Sequence, residues 1–242
     1  SASAGTTGRF SLGFTTSNIT HRLSPRLIKA FRHAYPDVEI EIHEGSAARL
    51  IDSIVAGKLD MCMVRIPVAR PPGVGFRVLG QERLLLVIPR GHALAAQVRP
   101  NPRGMFATLP LKAMQDEPFI FVRRPGGMGI YSELIDACAR LGFKPKVAAE
   151  VENMLTNVAL VAAGVGVSAV PASMQFVHQD EVLFLQPRES PQFNVPVTMA
   201  YDKVNPNPAA QRFLEFSTRF WKDEERALAL ESGRARVAKH QH

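Results

Sequence analysis

Two clusters in this sequence set side-chain donors beside the start of a helix, and both are suited to hold an anion. The first is Thr15-Thr16-Ser17-Asn18, hydroxyl and amide side chains that follow the alternating run Phe10, Leu12, Phe14 and precede a helical pattern. The second is Arg123-Arg124-Pro125-Gly126-Gly127, which joins the apolar run at 119–122 to another helical pattern. The first N–H groups of a helix lack intrahelical acceptors and carry partial positive charge, so a carboxylate is favoured there, more so beside guanidinium forks. Arg65, which closes the apolar run LDMCMV, is the third candidate. Each has a structural alternative: Ser17 or Asn18 as a helix cap, and either arginine as a solvated or salt-bridged scaffold residue.

Other chemistries find little support. There is no G-x-S-x-G, C-x-x-C or H-E-x-x-H pattern, and the seven histidines are dispersed. No metal or other cofactor is expected. The run Gly164-Val165-Gly166-Val167-Ser168-Ala169 fits G-x-G-x-x-A, but it leaves a helix and enters a strand, the reverse of the dinucleotide-binding order. A tight turn that packs helix against strand explains it better. The formal charge of +7 is spread along the chain, aromatics make up 7% of it, and no nucleic-acid-binding signature is visible. That charge serves solubility or draws in an anionic ligand.

The elements that would position these residues follow from apolar spacing. Leu23, Leu27, Ile28 and Phe31 recur at helical intervals, and Pro36-Asp37 ends that helix. VEIEIH at 38–43 alternates as a strand, 46–56 returns to helix with Gly57 as its cap, and 59–65 reads as a buried strand. This βαβαβ order predicts a mostly parallel sheet. Residues 76–89 read as two strand-like runs around Gly80-Gln81, with a lobe crossing near 84–90. A second alternation follows: strand 119–122, helix to Leu141, strand 146–151, helix 153–163 and strand 165–170. Strands at 182–185 and 195–201 are expected to return to the first lobe, and a helix at 207–221 closes the fold.

At 242 residues and 46% hydrophobic content the chain has ample core for one large domain or two lobes. No apolar run approaches a membrane span, and SASAGTTG lacks the features of a secretory signal. Cys62 and Cys138 lie in apolar runs, as buried reduced thiols would. A cytoplasmic location, away from membranes, is the expectation.

Residues 9 to about 222 together resemble the effector-binding domain of LysR-type transcriptional regulators. The resemblance is carried by RFSLGFTTS, SPRLIKAFRHAYPDVEIEIHEGS, AGKLDMCMVR, ERLLLVIPRGHAL and LVAAGVGVSAVPASM, in that order. It leans towards the branch that governs aromatic catabolism and senses benzoate, muconate or chlorinated relatives. It implies an α/β fold of two Rossmann-like lobes, the type 2 periplasmic-binding-protein fold, joined by two crossover segments. Residues 8–84 and 185–222 would form lobe I, 85–184 lobe II, and 223–242 a loose helix or disordered tail. A small carboxylate effector would bind between the lobes. Carried over residue by residue, its contacts would be Thr16, Ser17 and Asn18, then Ser46 and Ala47, then Arg123, Arg124, Gly127 and Met128, then Val197 and Thr198. Arg65 joins them from its place in the sequence. At Ala47 relatives often carry a threonine, so that hydroxyl is missing.

Leu27, Ile28 and Phe31 would serve the dimer interface of a homo-oligomer, a dimer or, at full length, a tetramer, or else the intramolecular core. DNA would be read only by an N-terminal domain outside this sequence. The competing readings are a periplasmic solute-binding protein for a small anion and an enzyme on the same fold. The latter is disfavoured because no set of acid, base and nucleophile stands out.

Overall fold

The computed structural model describes residues 4–65, 69–123, 127, 129–189 and 193–239, with side chains of the last helix described as far as residue 232. The chain begins with the alternation that the apolar spacing predicts: β1 (Gly8–Phe14), α1 (Thr16–Ile19), α2 (Leu23–Ala34), β2 (Val38–Glu44), α3 (Ala47–Val55) and β3 (Met61–Val64). β1 lies between β2 and β3 and is parallel to both, so the three strands end at the same edge. β4 (Val74–Pro89) follows, then β5 (Thr108–Leu109), β6 (Pro118–Val122), α4 (Ser132–Arg140), β7 (Lys146–Val151), α5 (Met154–Ala162), β8 (Ser168–Pro171) and β9 (Val182–Pro187). The chain re-enters the first unit as β10 (Asn194–Asp202) and ends in α6 (Pro208–Lys239).

Strand order shows that the two units share one plan. The first runs β2-β1-β3-β10-β4. In the second, β7 pairs in parallel with β6, Phe119 of β6 bridges to Val167 beside β8, and β8 and β9 both pair with the second half of β4. The predicted parallel sheet is therefore mixed: the strands that carry the chain across are antiparallel to their neighbours. Residues 182–185, expected to return to the first unit, belong instead to β9, which pairs with β4 and β5 of the second.

The expected break at Gly80-Gln81 is absent, because β4 is one strand of 16 residues. Gly80 answers to packing instead of a turn: a Cβ there would stand 2.6 Å from the indole Nε1 of Trp221 and would also strike the Glu225 carboxylate. Each unit has its own core. Phe10, Phe31 and Phe213 meet at 5.0–6.1 Å between ring centroids in the first, whereas Phe119, Phe121 and Tyr131 centre the second.

Leu27 and Phe31, considered above for a dimer contact, are fully buried inside this first core, and Ile28 packs partly against it. The first two have no surface left for a partner. α6 runs 32 residues to Lys239, past the 207–221 expected for the closing helix and through the segment for which a loose helix or a disordered tail was expected. Residues 222–231 are rich in Lys, Glu, Arg, Ala and Leu, strong helix formers, and Leu228 still packs against the first core. Among the described residues no helix is long and apolar enough to cross a membrane.

Candidate functional site

Parallel strands that end together leave their following loops at one edge, where open α/β sheets hold ligands. Here two such edges face each other across a cleft of about 780 Å³. The first unit contributes Thr15, Thr16 and Ser17 after β1, Gly45 to Arg49 after β2, and Arg65 after β3. The second contributes Val122, Arg123, Gly127, Gly129 and Ile130 after β6, and Glu150 to Met154 around the end of β7.

Two helices of nine residues each begin at this cleft from opposite sides. Ser46 caps α3, its hydroxyl oxygen accepting from the Arg49 N–H at 3.3 Å. Asn153 caps α5, its Oδ1 accepting from the Thr156 N–H at 3.0 Å. Both caps engage the third N–H of the helix, so the first-turn N–H groups before it, those of Ala47 and Ala48 in α3, keep no intrahelical acceptor. The loss of a hydroxyl at Ala47 thus leaves a backbone donor in place. Gly129 adopts φ +56°, and a Cβ there would press on the Val122 carbonyl oxygen and the Arg123 Cβ, each at 3.1 Å.

The arginines are less free than their sequence positions imply. Arg65 is 5% exposed. Its Nε donates to the Ser17 hydroxyl at 3.2 Å, and one terminal nitrogen donates to the Ser17 carbonyl at 2.8 Å and the Ser173 hydroxyl at 3.2 Å. The same nitrogen pairs with Glu82 at 2.5 Å. Thr198, expected at the ligand, instead donates its hydroxyl to the Arg65 carbonyl at 2.7 Å. Burial pushes Glu82 up and Arg65 down from their ordinary values, and their mutual attraction offsets part of each shift. Ser17 and Arg65 belong to the first unit, Ser173 to the second, and Glu82 to the strand that crosses between them. This cluster therefore fastens the back of the cleft.

His21 lies 3.6 Å from Glu82 and 4.7 Å, centroid to centroid, from Trp221. Burial, with Arg65 and Arg22 nearby, pushes its imidazole down to about 4. Glu82 does little to reverse this, since Arg65 already engages its carboxylate.

Arg123 does face the cleft, but its Nε donates to Glu150 at 2.8 Å and its guanidinium lies 4.5 Å from the centre of the Phe121 ring. Of the other predicted contacts, Thr16, Ser17, Ser46, Ala47, Arg65 and Gly127 line the cleft. Asn18 does not: it is fully buried, and its amide donates to the Thr15 hydroxyl at 2.6 Å, which positions Thr15 instead. Val197 and Thr198 are buried behind the wall. Arg124 and Met128 lie outside the described residues.

Glu82, Ser173, Glu150, Asn153 and Arg49 are additions that the sequence did not single out. One signal was available: an arginine that ends a strand of four fully buried residues needs a counter-ion. The free thiols of Cys62 and Cys138 are buried, as expected. Among the described residues no His, Cys, Asp and Glu cluster is placed to hold a metal ion.

Comparison with known proteins places this geometry in a family. The model of the LysR substrate binding domain matches residues 3–222. The uncharacterized HTH-type transcriptional regulator YnfL of Escherichia coli K12 is 33% identical over 178 residues, 74% of this chain and 57% of YnfL. The HTH-type transcriptional regulator AlsR of Bacillus subtilis 168 is 25% identical over 213 residues, 88% of this chain and 67% of AlsR. This chain thus spans about three fifths of the length of such relatives, which are named as transcriptional regulators and not as enzymes.

Among solved structures, the effector binding domain of QuiR in complex with shikimate superposes with a TM-score of 0.72 at 23% identity, covering 90% of this chain and 98% of that one. The BenM effector binding domain with its effector benzoate gives 0.69 at 22%, covering 90% and 93%. These likenesses establish the fold, two α/β units of the type 2 periplasmic-binding-protein kind. With the family model matched along nearly its whole length, the chain belongs to the LysR substrate-binding domain family.

Proposed function

We propose that this chain is the effector-sensing part of a cytoplasmic LysR-type transcriptional regulator, and that it takes a small carboxylate, of the aromatic or dicarboxylic class, into the cleft. One observation carries the reading: two capped helix starts oppose each other across a cavity of metabolite size, with hydroxyl and guanidinium side chains around them. Such ends favour negative charge. Thr16, Ser17, Ser46, the Ala47 N–H and Arg49 are the contacts, with Arg123 facing them from the second wall in its pair with Glu150. Ser17 still has its hydroxyl proton to give, because that oxygen accepts from Arg65.

A ligand that touches both walls stabilises the relative orientation of the units that fits it best. That difference in affinity biases how paired sensor domains hold DNA-binding domains attached to them. The oligomer is a dimer or, at full length, a tetramer. Its contact surface draws on exposed residues, since Leu27 and Phe31 are enclosed within the first core.

The test is calorimetric titration of the chain with benzoate, shikimate and phenylacetate, beside their neutral amides or esters. Acids should bind and the neutral analogues should not. Replacing Thr16 and Arg49 together by alanine should weaken binding by about 1–3 kcal/mol for each charge-assisted hydrogen bond removed. Equal binding of acids and neutral analogues, or none across the panel, would overturn the reading.

A further inference from the structure

The walls of the cleft differ in charge, and that difference narrows the ligand class left open above. The first wall presents hydroxyls, backbone donors, Arg49 and the Glu82-paired Arg65, with no carboxylate among its lining residues. The second presents Arg123, Glu150 and Glu152 together with the apolar side chains of Val122, Ile130, Val151 and Met154. The cation on this side is already matched, since Arg123 donates to Glu150 with their side chains 11% and 23% exposed. Glu152 then leaves the described part of the second wall with a surplus negative charge beside an apolar surface.

We infer that the cleft selects a monocarboxylate with an apolar body and rejects a dicarboxylate that spans it. This rests on the sensor reading above and goes beyond it, because it separates the two anion classes by the sign of the second wall. The single negative end of the ligand sits against the first wall, near Thr16, Ser46 and Arg49. Its body lies over Val122, Ile130 and Met154, and burial of that surface supplies affinity without further charge. A second carboxylate reaching the opposite wall would meet Glu152 and find Arg123 already held. Like charges brought together in a partly dry cleft oppose binding strongly, and a neutral donor such as a hydroxyl at the same place would not.

Matched pairs of probes of similar shape test this: benzoate with terephthalate, phenylacetate with 1,4-phenylenediacetate, and hexanoate with adipate, titrated calorimetrically into the whole chain. In each pair the monoacid should bind about tenfold or more tightly than the diacid, the size expected when a like-charge contact is only partly screened. Glu152→Gln, at an exposed position, should narrow that ratio by about tenfold. Glu150→Gln, which releases Arg123, should raise diacid affinity more than monoacid affinity and so narrow the same ratio.

Diacids that bind as tightly as monoacids would overturn the inference and leave the anion-sensor reading standing. A preference for monoacids that persists unchanged in both variants would show that the acidic wall is not its cause, and would also overturn it. Failure of every probe to bind removes the sensor reading, and the inference with it.

Discussion

Replacing Arg65 with methionine keeps most of the side-chain volume and deletes the charge that fastens the back of the cleft. Glu82, with its side chain 10% exposed, would then keep the Ser173 hydroxyl at 3.0 Å, the Ser173 N–H at 3.2 Å and the His21 ring at 3.6 Å, but no permanent charge. A buried ion pair broken on one side costs about 3–5 kcal/mol, because the remaining charge is desolvated without a partner. With a denaturation slope of about 3 kcal/mol per molar urea, the midpoint should fall by about 1–2 M. Replacing Glu82 by glutamine as well removes the stranded charge and keeps an acceptor for the Ser173 N–H. The double variant should therefore recover most of the loss and show a coupling energy of about 2 kcal/mol or more. Trp221, the sole tryptophan, is buried against His21 and reports unfolding by its fluorescence. A cost below about 1 kcal/mol for Arg65→Met, or single costs that simply add, would refute the fastening role.

Three further outcomes are expected. His21 titrates near 4 when folded against 6.5 when free, so between those values the unfolded chain takes up protons that the folded one does not. Stability should therefore fall as pH drops from about 6.5 to about 4, by about 3 kcal/mol in full. That part of the slope should vanish in His21→Gln, as read by urea melts at several pH values. Ser46→Ala removes the cap of α3 and should cost about 1 kcal/mol in a thermal melt; a gain in stability would contradict the cap. Burial pushes both thiols up to about 12, so neither should react with Ellman's reagent in the native chain at neutral pH, and both should react in denaturant.

Much of the scaffold was legible because its apolar residues repeat with the period of the element that holds them. Leu23, Leu27 and Phe31 mark α2, and Val38 to Glu44 alternates as β2, each within a residue or two of the observed ends. The loops after β1 and β2 were legible too, since a hydroxyl-rich segment between a strand and a helix reads as a capped helix start.

What escaped was set by contacts distant in sequence. Gly80 looks like a turn residue until Trp221, far along the chain, is seen to occupy the place of its side chain. Arg65 looks like a ligand arginine until Glu82 and Ser173 fold against it. Arg123 does reach the cleft, but local sequence gives no hint that Glu150, on the neighbouring strand, will match its charge. α6 continues past Trp221 because propensity there is helical, although large apolar side chains become sparse.

β4 passes from one core to the other as uninterrupted β-strand, with its partner β10 shifting register only at Val197/Thr198, opposite Gly80 and Val78. Nothing in that strand behaves as a pivot. Any reorientation of the halves must be absorbed as twist along a ribbon that is paired with β10 over its first half and with β8 and β9 over its second, so the molecule flexes like a leaf spring and not like a door. The restoring force of such a spring grows with displacement, and a metabolite lodged between the halves would act by bending it through a small, graded angle.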